Sequence, residues 1–171
     1  MLTSPRTLWA RVLSWACRSE PVIATAPDPH TPRTLSPLHA TTIAYRSRAA
    51  LIRGASGSGK STLALQLIAL GAQLVADDRT TIRRTGDILI ADVPQSIRGK
   101  IEARGVGILA AAPAGPTPLA LIIDMDTEET ERLPPQREEA LLGVTLPLLR
   151  KVAMPHFPAA ILSYLEHGRI S

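Results

Sequence analysis

The chain has 171 residues, 45% of them apolar, enough for one domain with a substantial core. Aromatic residues make up only 3%, and the net charge of +4 divides as +2 over residues 1–38 and +2 over the rest, which argues against a nucleic-acid reader. The single cysteine, Cys17, rules out an internal disulfide and fits a reducing cytosol, and no apolar run approaches the roughly 20 residues of a membrane helix.

Residues 1–37 carry six of the 15 prolines and no sustained periodicity, so they read as a flexible leader ahead of one domain over residues 38–171. The apolar stretch 8–16 is interrupted by Arg11 and followed by no clear cleavage site, unlike a signal peptide. Strand formers run from Leu38 to Tyr45, and residues 49–53 form a second short buried strand. A hairpin turning at Arg46-Ser47 pairs residues whose numbers sum to 93, which sets His39 opposite Gly54. Two readings of His39 stay open at this point: an imidazole beside the following loop, or a strand end facing solvent.

That loop, Gly54-Ala55-Ser56-Gly57-Ser58-Gly59-Lys60-Ser61, fits the phosphate-binding pattern G-x-x-x-x-G-K-[ST] at every fixed position, with Thr62 next. Glycines let backbone N–H groups close around phosphate oxygens, the lysine neutralises the β- and γ-phosphates, and the serine hydroxyl can ligate Mg²⁺. Leu63, Leu67 and Leu70 at helical spacing, widened by Ala64 and Ile68, predict a helix after the loop, with Gly71 as its C-cap glycine.

Residues 73–76 read as a strand with Asp77-Asp78 at its C-terminal end, the edge where open α/β sheets bind ligands. One carboxylate can face a metal or a structural donor and the other an acceptor hydroxyl; an acidic turn before a hairpin over 80–93, turning at Thr85-Gly86-Asp87, is the alternative. In residues 101–109, Glu102 and Arg104 point the same way if the segment is extended, either into a site or as an exposed ion pair. Residues 118–125 form a hydrophobic strand whose Asp124 rivals Asp77 and Glu102 as a metal ligand. A charged, solvated region broken by Pro134-Pro135 covers 128–139, residues 145–151 form a short strand with a basic end, and 159–167 form a closing helix capped near Gly168.

The glycine loop, Leu74-Val75-Ala76-Asp77-Asp78 and Ile101-Glu102-Ala103-Arg104-Gly105-Val106-Gly107-Ile108 together resemble the catalytic C-terminal domain of the HPr kinase/phosphorylase family, in the order and spacing of the short bacterial form without the N-terminal domain. The resemblance covers about residues 38–112 and is thin beyond. It implies an α/β P-loop domain with a mixed central sheet flanked by helices. It also implies ATP and Mg²⁺ as cofactors, an HPr-like phosphocarrier protein of a phosphotransferase system as partner, a cytoplasmic setting, and a homo-oligomer, hexameric by analogy.

By the same resemblance Lys60 contacts the transferred phosphoryl group, with Gly54, Ala55, Ser56, Gly57, Ser58, Gly59, Ser61 and Thr62 around the nucleotide phosphates. Ser61, Glu102 and Asp77 serve the metal. Asp78 accepts the proton of the target serine and returns it on dephosphorylation, His39 matches an active-site histidine, and Arg132 matches a later arginine. Asp124 thereby loses its claim to the metal. Residues 146–151 only echo the loop linked to phosphorolysis, so serine kinase activity is better supported than phosphorylase activity. A small-molecule P-loop kinase and a non-catalytic ATP or phosphate sensor are the alternatives; residues 126–139 make a poor lid for the first.

Overall fold

The computed structural model describes residues 34–170. Cys17, the stretch 8–16 and most of the expected leader lie outside them. Residues 34–37, read in the sequence as part of the leader, belong to a strand, β1 (Thr34–Leu38), that pairs with a later one. Pro37 is tolerated there because β1 is an edge strand.

β1 passes through His39 into β2 (Ala40–Tyr45), which turns back at Arg46-Ser47 into β3 (Arg48–Arg53). Partners run from Ala40 with Arg53 to Tyr45 with Arg48, the register the sequence predicted. Arg46 and Ser47 have φ of 47° and 62°, so this tight turn places two non-glycine residues in left-handed conformations. α1 (Lys60–Ala69) follows the glycine loop. It ends as predicted: the Gly71 N–H donates to Ile68 and the Ala72 N–H to Leu67, with Gly71 at φ 100°.

Next come β4 (Gln73–Ala76), the hairpin β5 (Thr80–Thr85) and β6 (Ile88–Asp92), and a second hairpin, β7 (Lys100–Ala103) and β8 (Gly107–Ala110). β9 (Thr117–Glu128) is longer than the strand expected over 118–125. β10 (Arg137–Leu141) pairs with β11 (Val144–Lys151), and α2 (Phe157–His167) closes the chain with Pro158 in its first turn. β10 falls in and beyond the region read as solvated. Its glutamates hide the strand pattern, yet Glu139 forms a two-pronged ion pair with Arg53 at the end of β3.

The main sheet runs β1-β5-β6-β9-β3-β2-β4, with β10 and β11 branching from β9. β9 is its hub: antiparallel to β6 at its start, and from Ile122 to Asp124 parallel to both β3 and β11, one on each edge. Leu121, Ile122 and Ile123 are all buried, the uninterrupted apolar run of a strand covered on both faces. One face packs Ile52, Leu121 and Ile123 against Leu63 and Leu67 of α1 and Ile161 and Leu165 of α2. The other face is covered by the curled sheet itself, where Ile82 and Leu89 meet Leu51 and Ile122. A buried hydrogen bond of 2.8 Å between Thr42 and Thr80, and a second from the Thr80 hydroxyl to the Ala40 carbonyl, pin that curl.

Candidate active site

The buried strand β3 delivers the chain to Gly54, whose φ of 148° suits only glycine. A Cβ there would come 2.7 Å from Ser58 Oγ and 3.1 Å from Met125 Cβ. The loop folds on itself through the Ser58 N–H to the Ala55 carbonyl at 3.2 Å and feeds α1, whose first hydrogen bond joins the Leu63 N–H to the Gly59 carbonyl. The first amides of α1 have no partner within the helix and carry the positive end of its dipole, an arrangement suited to anions.

Lys60 opens α1 and is buried, only 6% exposed. Its ammonium donates to the carbonyls of Gly54 and Ala55, both at 2.9 Å, and lies 3.2 Å from His39 Nε2. An ammonium only donates, so Nε2 is the acceptor in this contact. Nδ1 faces Asp78 Oδ1 at 3.6 Å. Of the two readings of His39, the structure shows the imidazole beside the loop, bridging Lys60 and Asp78.

The adjacent carboxylates point different ways because Asp78 turns into the left-handed region at φ 62°. Asp78 lines the cleft with its side chain 56% exposed. Asp77 Oδ1 accepts from the Thr41 hydroxyl at 2.8 Å and from the Ser61 hydroxyl at 3.0 Å, while its Oδ2 accepts the Glu102 N–H at 3.0 Å. Both oxygens are therefore engaged by protein donors, and Asp77, expected as a direct metal donor, stands behind Ser61 and outside the cleft lining.

The cleft, of about 180 Å³, is lined by His39, Ser56, Gly57, Gly59, Lys60, Ser61, Thr62, Leu65, Asp78, Glu102 and Arg104. Glu102 and Arg104 thus point into a site, as one of their two readings held. Among the described residues no cluster of three or more His, Cys, Asp or Glu side chains forms a metal cage. A hydroxyl from Ser61 and one carboxylate from Glu102 fit Mg²⁺, which takes most of its ligands from water and substrate phosphates. Arg132 is not brought to the cleft; it lies exposed in the loop between β9 and β10.

Asp124 is not among the residues lining the cleft; it accepts the Asp126 N–H at 2.9 Å and lies 4.0 Å from Arg53. Its neighbour Asp126 is the residue that sequence reasoning missed. Asp126 Oδ1 accepts the Ala55 N–H at 2.8 Å, so the end of β9 braces the glycine loop. The parallel pairing of β3 with β9, which sets Arg53 beside Asp124, is the signal that would have found it.

Residues 34–114 match the HPr Serine kinase C-terminal domain family. An HPr kinase/phosphorylase from Exiguobacterium sp. is 42% identical over 76 residues, which are 44% of this chain and 24% of that protein. Another from Xanthomonas campestris pv. campestris is 33% identical over 153 residues, covering 78% of this chain and 48% of the relative. The chain thus spans less than half the length of these curated relatives. Among solved structures, the Hpr(Ser) kinase/phosphatase from Coxiella burnetii matches with a TM-score of 0.64 at 26% identity, over 78% of this chain and 94% of that one. The mixed, curled sheet is common to both, and the glycine loop, the Asp77-Asp78 strand end and the β7–β8 hairpin all fall within the matched segment: the chain belongs to the family of HPr serine kinase C-terminal domains.

Proposed function

We propose that this domain transfers the γ-phosphoryl group of ATP to a serine of an HPr-like phosphocarrier protein. The observation that carries the reading is Asp78, an exposed carboxylate in the mouth of a phosphate-type cleft, linked through His39 to the loop lysine. A positioned carboxylate can take the serine proton as the hydroxyl attacks. The serine oxygen bonds the γ-phosphorus, the bond to the β–γ bridging oxygen breaks, and ADP leaves. Lys60 and the amides of the loop and first turn hold the phosphates in line and offset their charge. Mg²⁺, when bound, neutralises further charge on the phosphate oxygens. Ser61 and Glu102 would hold it, with Asp77 fixing the Ser61 hydroxyl.

The cleft volume favours a protein acceptor. At about 180 Å³ the cleft is smaller than the roughly 300–1,000 Å³ of sites that enclose a whole small ligand. It accommodates a phosphate chain and leaves the acceptor at its mouth. No helix among the described residues is long and apolar enough to cross a membrane. The cytoplasm, where ATP meets such carriers, is the compartment this reading implies.

The test is transfer of labelled γ-phosphate to a purified HPr-type carrier from the same organism, with Lys60→Ala and Asp78→Asn as controls. Labelled phosphoserine lost in both variants supports the reading; ATP binding with no labelled carrier removes it. Attack of inorganic phosphate on the phosphoserine, giving pyrophosphate, is the reverse route we propose for the same site. Pyrophosphate no higher than in Lys60→Ala would exclude it.

A further inference from the structure

In the β7–β8 hairpin, β7 alternates exposed and buried residues, whereas β8 is exposed along its whole length, Leu109 opposite Ile101 included at 39%. Ile101 and Ala103 are buried, 1% and 8% exposed, whereas Glu102 lines the cleft. Ile108 pairs directly with Glu102 across the hairpin, and directly opposed residues share a face. Ile108 therefore sits on the cleft-facing side, yet it is 75% exposed, and Val106 in the adjoining turn is 76% exposed. Single exposed apolar residues are ordinary on a protein surface. Two of them beside Arg104, at the rim of a polar phosphate cleft, are not used by anything bound inside it.

We propose that Val106 and Ile108 form the apolar contact surface on which the acceptor protein seats the segment flanking its serine. The inference rests on the phosphotransfer reading above. For a serine hydroxyl to reach Asp78, the acceptor's backbone must cross the cleft mouth, and Ile108 shares its hairpin face with Glu102 at that mouth. The complementary partner surface carries an apolar side chain close to the serine. Its burial against these two residues sets affinity for the acceptor and leaves the phosphate contacts untouched.

The test compares wild type, V106S/I108S and I108V for carrier KM, kcat and ATP binding. The double variant is expected to raise the carrier KM about tenfold with kcat within about twofold and ATP affinity unchanged, and I108V to stay near wild type. A carrier KM equal to wild type in the double variant overturns the proposal. An unchanged KM with an altered mass by light scattering would assign the surface to contacts between copies, and loss of ATP affinity would assign it to the nucleotide; either outcome overturns it too. If wild type itself labels no carrier, the phosphotransfer reading falls and this surface with it, whereas normal transfer with unaltered KM removes the surface alone.

Discussion

The Lys60 ammonium stands 3.2 Å from His39 Nε2, and the opposite nitrogen of that ring faces Asp78 at 3.6 Å. The imidazole so placed lies between the lysine and the carboxylate. His39→Ala removes the bridge while leaving the hairpin intact. Phosphoryl transfer is expected to fall by about 10²-fold in kcat, a typical loss for a positioned acid–base partner, with ATP affinity changed much less. Steady-state kinetics beside an ATP titration check this, and an unaltered kcat refutes it.

Asp126 holds the Ala55 amide of the glycine loop from a strand more than 70 residues away in the chain. Asp126→Ala leaves the Ala55 N–H without its protein partner, at a cost of about 1 kcal/mol for an exposed site. We expect ATP to bind several-fold more weakly, and Asp126→Asn, which keeps an acceptor oxygen, to bind almost as wild type. Equal affinity in the alanine variant would show that the brace is idle.

Gly54 has room for no side chain. Gly54→Ala drives a methyl toward Ser58 Oγ and Met125 Cβ at a φ of 148°. Because the clash involves the loop and the strand beneath it, nucleotide binding should be abolished while the far-ultraviolet circular dichroism of the sheet is retained. Wild-type ATP binding in this variant would contradict the loop geometry.

Ser47 occupies the left-handed region at φ 62° in the β2–β3 turn. Glycine adopts that conformation without a steric penalty, so Ser47→Gly should stabilise the domain by about 0.5–1 kcal/mol and raise Tm by several degrees. Arg46 is best left alone, since it reaches Glu166 at 3.0 Å. A lowered Tm would mean that the serine contributes more than its strain costs.

Glu129 has a side chain only 7% exposed. Burial pushes its pKa up, but this is outweighed by the N–H groups of Glu131 and Thr130 and by Arg137, so its carboxyl lies below its ordinary value near 4.5. A carboxylate lowered on folding adds stability above its unfolded pKa, and that contribution is lost as pH falls through the folded one. Wild type should therefore lose stability below about pH 4.5, and Glu129→Gln should be less stable at neutral pH with a shallower acid slope. Thermal melts from pH 7 to 3 decide it; parallel curves for the two proteins would rule out the linkage.

The hairpin register, the glycine loop, the Gly71 cap and the Asp77-Asp78 strand end were legible because each depends on neighbours in sequence. His39 could be placed by counting across one turn. Asp126 could not, since its role arises from pairing between β3 and β9, which no local pattern encodes. β10 was hidden for a related reason: Glu138 and Glu139 look solvated until Arg53 is brought alongside. Asp77 looked like a metal donor because its three protein partners come from β2, α1 and β7.

The central place of β9 has a consequence for the order in which the domain assembles. The segment matching the family ends at residue 114, before β9 begins, so a nascent chain carries the glycine loop, both aspartates and the β7–β8 hairpin before the strand that braces them exists. Pairings such as Ala49 with Leu119 close a loop of about 70 residues, a long-range contact of the kind that slows folding. Nucleotide affinity should therefore emerge late in synthesis, after the ribosome has released β9, and a fragment cut at residue 114 would carry the motif without the ability to use it.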